Sequence, residues 1–257
     1  MTGGFERLAG RRVLLTGHTG FKGSWLALWL AHLDADVSGF ALEPSAPLFH
    51  DAKVSGGLVH DIRGDVRDLA AVEAAVARCR PELVIHLAAQ PIVRESYADP
   101  VGTIATNVLG TTHVLDAVRR ADSSCPVLVV TSDKVYAVAG RNGGNAEGDA
   151  LGGSDPYSAS KAAADLVAGA WARSYPAMRI AVARAGNVIG GGDATPHRLL
   201  PDIARALSAG QPVVVRNRNS VRPWQHVLDA LHGYLLLADG LLGTHPEKYA
   251  SAWNFGP

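Results

Sequence analysis

Apolar runs of strand length recur along the first two thirds of the chain, each leading through a turn into a stretch with helical spacing. Residues 12–16, 36–42, 58–62, 82–89, 126–130 and 178–184 read as strands. The runs at 82–89 and 126–130 are almost continuously apolar, the pattern of parallel strands buried on both faces. Helices are expected over residues 24–33, 69–80, 100–120 and 156–171. Strand and helix therefore alternate, which predicts an α/β fold: a doubly wound parallel sheet of the Rossmann type with helices on both faces. Beyond residue 184 the pattern is less regular, with a helix expected to start within 197–202 and run to about 208, then a strand at 213–216. The expected division is a dinucleotide-binding domain over 1–184 and a smaller, partial substrate-binding part over 185–257 that interleaves with the last strands.

The first strand runs directly into Gly17-His-Thr-Gly20-Phe21-Lys22-Gly23. Gly17 permits the tight turn, Gly20 lets the backbone approach a pyrophosphate, and Gly23 allows the helix to pack close to the strand. The helix N-terminus then offers amide donors and partial positive charge to phosphates. A glycine turn placed between a strand and a helix at residue 12 of the chain is a strong dinucleotide signal. The spacing GxxGxxG points to the short-chain dehydrogenase/reductase style of Rossmann domain. A carboxylate is expected at the end of the second strand to read the cofactor's ribose; Glu43 stands slightly late for it, and no Arg is close in sequence, so NAD is preferred over NADP. Asp68 suits the N-cap of the next helix, which leaves Asp65, next to Val66, free for the adenine amino group. Ala88 and Ala89, after Leu87, are small enough for the dinucleotide to lie over the strand end.

The strand at 126–130 delivers Ser132, Asp133 and Lys134 at its C-terminal end, where open α/β sheets bind ligands. Tyr157 and Lys161 lie four apart on the following helix and share one face. An ammonium beside a phenol favours the phenolate, so this pair suits proton transfer. His86, inside an apolar strand, is expected to be a satisfied core residue rather than a catalytic one. Asn107 is unfavourable in mid-helix and is expected to bond a backbone group near the site; simple solvation is the alternative.

Composition narrows the partners. Lys plus Arg, 24, equals Asp plus Glu, 24, so no global basic field recruits nucleic acid or an anionic membrane surface. Cys79 and Cys125 lack metal-ligand spacing and read as reduced thiols of a cytoplasmic protein; no metal is expected. The first residues carry no signal-peptide core, and the apolar stretch at 235–242 is too short to span a bilayer and is broken by Asp239.

Seven segments carry a specific resemblance: GHTGFKGSW (17–25), HLAAQPIVRESY (86–97), TNVLGTTHVLDAVR (106–119), TSDKVY (131–136), LGGSDPYSASKAAADLV (151–167), ARAGNVIGGGD (183–193) and RPWQHVLDAL (222–231). Together they resemble the nucleotide-sugar dehydratase branch of the extended short-chain dehydrogenases, and within it the CDP-glucose 4,6-dehydratases. The resemblance implies a tightly held NAD, oxidation at C4 of the glucose, loss of water across C5 and C6, and hydride return to C6. It implies that Tyr157 deprotonates the 4-hydroxyl, that Lys161 lowers the phenol's pKa and holds the nicotinamide ribose, and that Ser132 bonds the 4-oxygen. Lys134 becomes the base and Asp133 the acid of the elimination; related dTDP-glucose dehydratases carry Glu in place of Lys134. A lysine base needs its pKa lowered by burial or a neighbouring cation. Gln90, Arg94, Asn187 and Leu200 are implied in substrate binding, and Arg222 in gripping the diphosphate, with a surface salt bridge as its alternative. Trp224 and Trp253 are expected in the core rather than stacked on a base. A homodimer is implied, paired through the helices at 100–120 and 157–171.

Two departures stand out. The loop at 140–153 holds six glycines and no aromatic residue, where the family places aromatic and charged side chains. The family also continues well past the position of Pro257, so the substrate part is expected to be truncated. Another nucleotide-sugar epimerase or dehydratase, or a dinucleotide-binding protein without catalysis, remain as alternative functions. The pair Asp133-Lys134 argues against a simple epimerase, which needs no acid and base at C5 and C6.

Overall fold

The computed structural model describes residues 4–45, 47–138, 144–215 and 218–257. Its centre is a seven-stranded sheet, all parallel, built from β1 (Arg12–Thr16), β2 (Asp36–Ala41), β3 (His60–Arg63), β4 (Leu83–His86), β5 (Val127–Val130), β6 (Ile180–Ala185) and β9 (Ala252–Phe255) in the order β3-β2-β1-β4-β5-β6-β9. The order reverses between β1 and β4, which opens a crevice at the C-terminal edge, the usual ligand position in such sheets. β7 (Asn187–Ile189) and β8 (Trp224–His226) form a separate parallel pair, with Asn187 opposite Trp224.

Strand alternation assigns residues to the two faces. Val13, Leu15, Ile85, Leu128 and Val130 pack against α1 (Phe21–His32) and α9 (Val227–Leu241). Leu14, Val84, Val127 and Val129 face α3 (Leu69–Cys79), α6 (Gly110–Ala121) and α7 (Pro156–Ser174). The short helices α2 (Leu48–Asp51), α4 (Val93–Ala98) and α5 (Pro100–Ile104), and α8 (Leu199–Ser208), complete the chain.

Several expectations shift for physical reasons. Helix α1 starts at Phe21, three residues before the expected start at Ser24. Ser24 Oγ donates to the His18 carbonyl at 3.1 Å, and the N-cap Gly20 makes no side-chain bond to the helix. The helix expected over 100–120 runs as α5, a π-helical turn at Ala105–Leu109 and α6. Asn107 sits in that turn, buried; its Oδ1 accepts from the Gln90 amide at 2.8 Å and its Nδ2 donates to the Gln90 carbonyl at 3.1 Å. The strand expected at 213–216 does not form over Val213–Val215, and Arg216 lies outside the described residues. So does the part of the glycine-rich loop at 140–143. Among the described residues, no helix is long and apolar enough to cross a membrane.

Candidate active site

A cavity of about 880 Å³ opens at the C-terminal edge of the sheet, and its lining includes Lys22, Ser132, Asp133, Lys134, Tyr157 and Lys161. The expected reactive residues therefore converge from the β5 end and α7, and the loop residue Lys22 joins them from α1. Ser132 caps the short helical turn Asp133–Val135, donating to Asp133 Oδ1 at 3.0 Å and accepting from the Lys134 amide at 3.3 Å. Lys134 Nζ lies 3.4 Å from Asp133 Oδ1, and both side chains are about a third exposed. The neighbour provided for Lys134 is thus a carboxylate rather than the burial or second cation that a lysine base calls for.

Tyr157 and Lys161 both reach the cavity from α7, as their spacing predicts. Lys161 Nζ donates to the Val130 carbonyl at 3.0 Å, and burial pushes its pKa down to about 8. The Tyr157 phenol is raised above its ordinary value, chiefly by burial, with the Ser132 hydrogen bond and the Arg198 cation pulling it back down. Arg198, just before α8, is therefore a further cation that favours the phenolate.

The glycine loop fits a dinucleotide. Gly17 has φ +75°, and a Cβ there would fall 2.7 Å from the Ala88 backbone nitrogen. A Cβ on Gly23 would fall onto the Gly17 carbonyl. No side chain caps α1, and a helix N-terminus left in this way can offer its first amides to an anionic diphosphate. Lys22 reaches past the loop to donate to the Tyr234 hydroxyl at 3.2 Å. Burial, helped by Lys161 and Arg198, lowers its pKa to about 7. Leu87 and Ala89 line the cavity, and the Ala88 amide is tied to Thr16 Oγ1 at 3.2 Å.

Around the adenosine end the readings need correction. Asp65 is not free: its carboxylate takes the Arg67 guanidinium at 2.6 Å and the Arg67 amide at 2.9 Å, which holds its pKa low. Val66 is a core side chain whose carbonyl bonds His113 Nδ1 at 2.9 Å. An arginine does stand at the end of the second strand. Arg63, from the neighbouring β3, lies 3.2 Å from Glu43 and 2.6 Å from Asp61. The buried His18 joins them, its Nε2 2.8 Å from Asp61 and 3.0 Å from Arg63. Asp68 caps α3 as expected, accepting from the Ala71 amide at 3.2 Å.

On the substrate side, Arg94, Asn187, Leu200 and Arg222 all line the cavity. Asn187 Oδ1 is buried with no hydrogen-bond partner among the described residues. Gln90 does not line it, because its side chain is spent on Thr103 Oγ1 at 2.8 Å and on the Ile92 amide. Arg222 is exposed and donates to the Val221 carbonyl at 3.0 Å. Trp224 is 36% exposed on the cavity wall, not in the core; Trp253 packs against the core and donates to the Tyr249 carbonyl at 3.0 Å. His86 is a core residue, buried and bonded to Thr16 Oγ1 at 2.7 Å and Thr111 Oγ1 at 3.1 Å. Both cysteines are free and buried. Sequence reasoning missed Arg198, His18 and Tyr234; the quoted segment 17–25 contained His18, but nothing in it signalled a partner 43 residues away.

This sheet, glycine loop and cavity define a class, and a family model agrees. Residues 13–250 match the NAD dependent epimerase/dehydratase family, and the chain belongs to that family. It is 46% identical to the CDP-glucose 4,6-dehydratase of Salmonella typhimurium, over 96% of this chain and 71% of that protein. Its fold is similar to that of DesIV, the dTDP-glucose 4,6-dehydratase of Streptomyces venezuelae solved with NAD and TYD bound. There the TM-score is 0.81 at 26% identity, covering 95% of this chain and 75% of DesIV. MoeE5 in complex with UDP-glucose and NAD gives 0.79 at 29% identity, covering 95% and 75%.

Proposed function

We propose that the chain is an NAD-dependent nucleotide-sugar 4,6-dehydratase that converts CDP-glucose to CDP-4-keto-6-deoxyglucose. The observation that carries this reading is the convergence of Ser132, Asp133, Lys134 and Tyr157 on one cavity beside a dinucleotide loop. A simple epimerase needs only the hydroxyl pair, whereas Asp133 and Lys134 supply an acid and a base for C5 and C6. The 46% identity to a CDP-glucose 4,6-dehydratase supports the nucleotide assignment.

Gly17, Gly20, Phe21, Lys22 and Gly23 hold the cofactor's diphosphate, and Leu87, Ala88 and Ala89 form the floor beneath it. NAD, when bound, accepts the C4 hydride and returns it at C6. Tyr157 takes the proton of the sugar's 4-hydroxyl, a step that the Ser132 hydrogen bond and the Arg198 cation assist by opposing the desolvation of the phenol. Ser132 holds the 4-oxygen. With C4 a ketone the C5 proton is acidic, and Lys134 removes it while Asp133 protonates the departing 6-hydroxyl. Transfer of the Lys134 proton to Asp133 across their 3.4 Å contact prepares the neutral amine and the protonated carboxyl that this step needs, and the elimination returns the pair to ammonium and carboxylate. The unpartnered Asn187 Oδ1 bonds the nucleotide sugar, and Arg222 grips the diphosphate as a bidentate guanidinium. In this reading residues 1–184 carry the cofactor and reactive groups, and 185–257 contribute the substrate side.

The protein acts in the cytoplasm, which suits its two free thiols, as a homodimer joined through α5, α6 and α7. Val101 at 78%, Ile104 at 42% and Leu166 at 57% exposure provide the apolar surface for that pairing. The substrate assignment is tested by comparing kcat/KM for CDP-, dTDP- and UDP-glucose with NAD present. CDP-glucose is expected to lead by at least about tenfold, a difference of about 1.4 kcal/mol in transition-state binding. Equal values overturn the CDP assignment and leave the dehydratase reading standing.

A further inference from the structure

The segment carrying Ser132, Asp133 and Lys134 is fastened at both ends to one buried ion pair. Arg184, on β6, donates from Nε and Nη2 to the two oxygens of Asp165, each at 2.8 Å, and both side chains are almost fully buried. Asp165 Oδ2 also accepts from Thr131 Oγ1 at 3.1 Å, immediately before Ser132. Arg184 Nη1 donates to the Tyr136 hydroxyl at 3.0 Å, two residues after Lys134, and its guanidinium stacks 5.2 Å over the Tyr136 ring. The Tyr136 hydroxyl in turn donates a hydrogen bond to Asn254 Oδ1 on β9, and Arg184 Nη1 also donates to the Glu147 carbonyl at 2.8 Å. Asp165 stands one helical turn beyond Lys161 on α7, the helix that presents Tyr157.

We propose that Asp165 and Arg184 are positioning residues that fix the distance between the two halves of the reactive set, with Thr131 and Tyr136 as their separate grips on the 132–134 segment. This rests on the dehydratase reading. The Thr131 grip lies next to Ser132, which faces the Tyr157 phenol, and so governs oxidation at C4. The Tyr136 grip lies nearer Lys134 and governs elimination at C5 and C6. A purely stabilising ion pair has no reason to separate the two steps, whereas two grips at opposite ends of one short segment do. Each grip is a single hydroxyl, so each is removed without emptying the core or stranding a buried charge: the Asp165 and Arg184 fork survives both changes.

The test uses Tyr136→Phe and Thr131→Val on the full chain with NAD and CDP-glucose. Oxidation is read as transient nicotinamide absorbance at 340 nm, and elimination as solvent deuterium entering C5. Tyr136→Phe is expected to slow elimination by about 10- to 100-fold, the scale of a 1 Å misplacement, while leaving oxidation within about threefold. Thr131→Val is expected to do the reverse, and Thr131→Ser, which keeps the hydroxyl, to restore oxidation. In parallel, amide exchange in 132–136 is expected to accelerate in Tyr136→Phe while that of Val127–Val130 stays slow. Both steps falling together in each variant, or unchanged exchange in 132–136, overturns the proposal. If the native chain itself yields no 4-keto-6-deoxy sugar, the dehydratase reading fails, and the exchange measurement alone decides whether the grips hold the segment.

Discussion

Gly23→Ala probes the cofactor loop at the point where the structure leaves least room. A Cβ at Gly23 lands on the Gly17 carbonyl oxygen, well inside contact distance, and 2.8 Å from the His18 Cα. Carbon atoms settle at about 3.5–4.0 Å, so the N-terminus of α1 must withdraw from the loop by roughly 1 Å. Every obstructing atom is backbone, so no side-chain rotation relieves it. Overpacking of this kind costs about 1–3 kcal/mol, and the rigid obstacle places Gly23→Ala at about 3. For a domain of this size that lowers Tm by roughly 6–12 °C. The same displacement misaligns the open α1 amides; losing two charge-assisted hydrogen bonds at about 1.5 kcal/mol each weakens NAD binding by about 150-fold. Thermal unfolding by circular dichroism and NAD titration by calorimetry read the two effects. Gly191→Ala is the control, because a Cβ there meets nothing within 4 Å, and it should change stability by less than about 0.5 kcal/mol. A Gly23→Ala protein with native Tm and native NAD affinity would refute the close-packed loop.

Three further outcomes follow from the site. Tyr157→Phe should reduce C4 oxidation by about 10²–10⁴-fold, the usual contribution of a positioned acid or base, with Tm nearly unchanged; near-native turnover removes the assignment. Lys134→Ala should leave C4 oxidation intact and stall elimination, so nicotinamide absorbance at 340 nm accumulates while C5 deuterium wash-in stops; native wash-in counts against Lys134 as the base. Lys22 has a pKa of about 7 in the cofactor-free protein, and a diphosphate anion beside it raises that value. The complex therefore holds more protons than the free protein above pH 7, so NAD affinity should fall as pH rises from 7 to 8, by at most about tenfold per unit for one proton. Lys22→Met should abolish the slope, and a pH-independent native affinity contradicts the linkage.

Much of this architecture was readable because a parallel sheet covered on both faces needs strands that are apolar throughout. The expected strands at 12–16, 36–42, 82–89, 126–130 and 178–184 all correspond to strands of the central sheet. Helix α9 escaped the same reasoning. It is buried on most of its circumference, so it lacks an amphipathic stripe, and its Asp239 looked like an interruption. That carboxylate is in fact buried and ion-paired with Arg7. The pair β7 and β8 was illegible for another reason: each strand has three residues, and its partner lies more than thirty residues away. Side-chain partners were the least visible layer. Helical spacing put Tyr157 and Lys161 on one face, but it did not show that the ammonium bonds the Val130 carbonyl. Likewise Glu43 met Arg63 only because β2 and β3 are neighbours, with Ala41 opposite Arg63. Spacing along one element fixes which side chains share a face, whereas hydrogen-bond partners depend on what the next element brings.

The most direct measurement supplies CDP-glucose carrying deuterium at C4, with unlabelled NAD in water, and examines the product by proton and deuterium NMR. The account predicts a 4-keto-6-deoxy sugar whose C6 is CH₂D and whose C5 carries hydrogen from solvent, because the C4 hydride returns within the same site. A product with an unlabelled CH₃ group, or a C4 epimer formed with no loss of water, would contradict it.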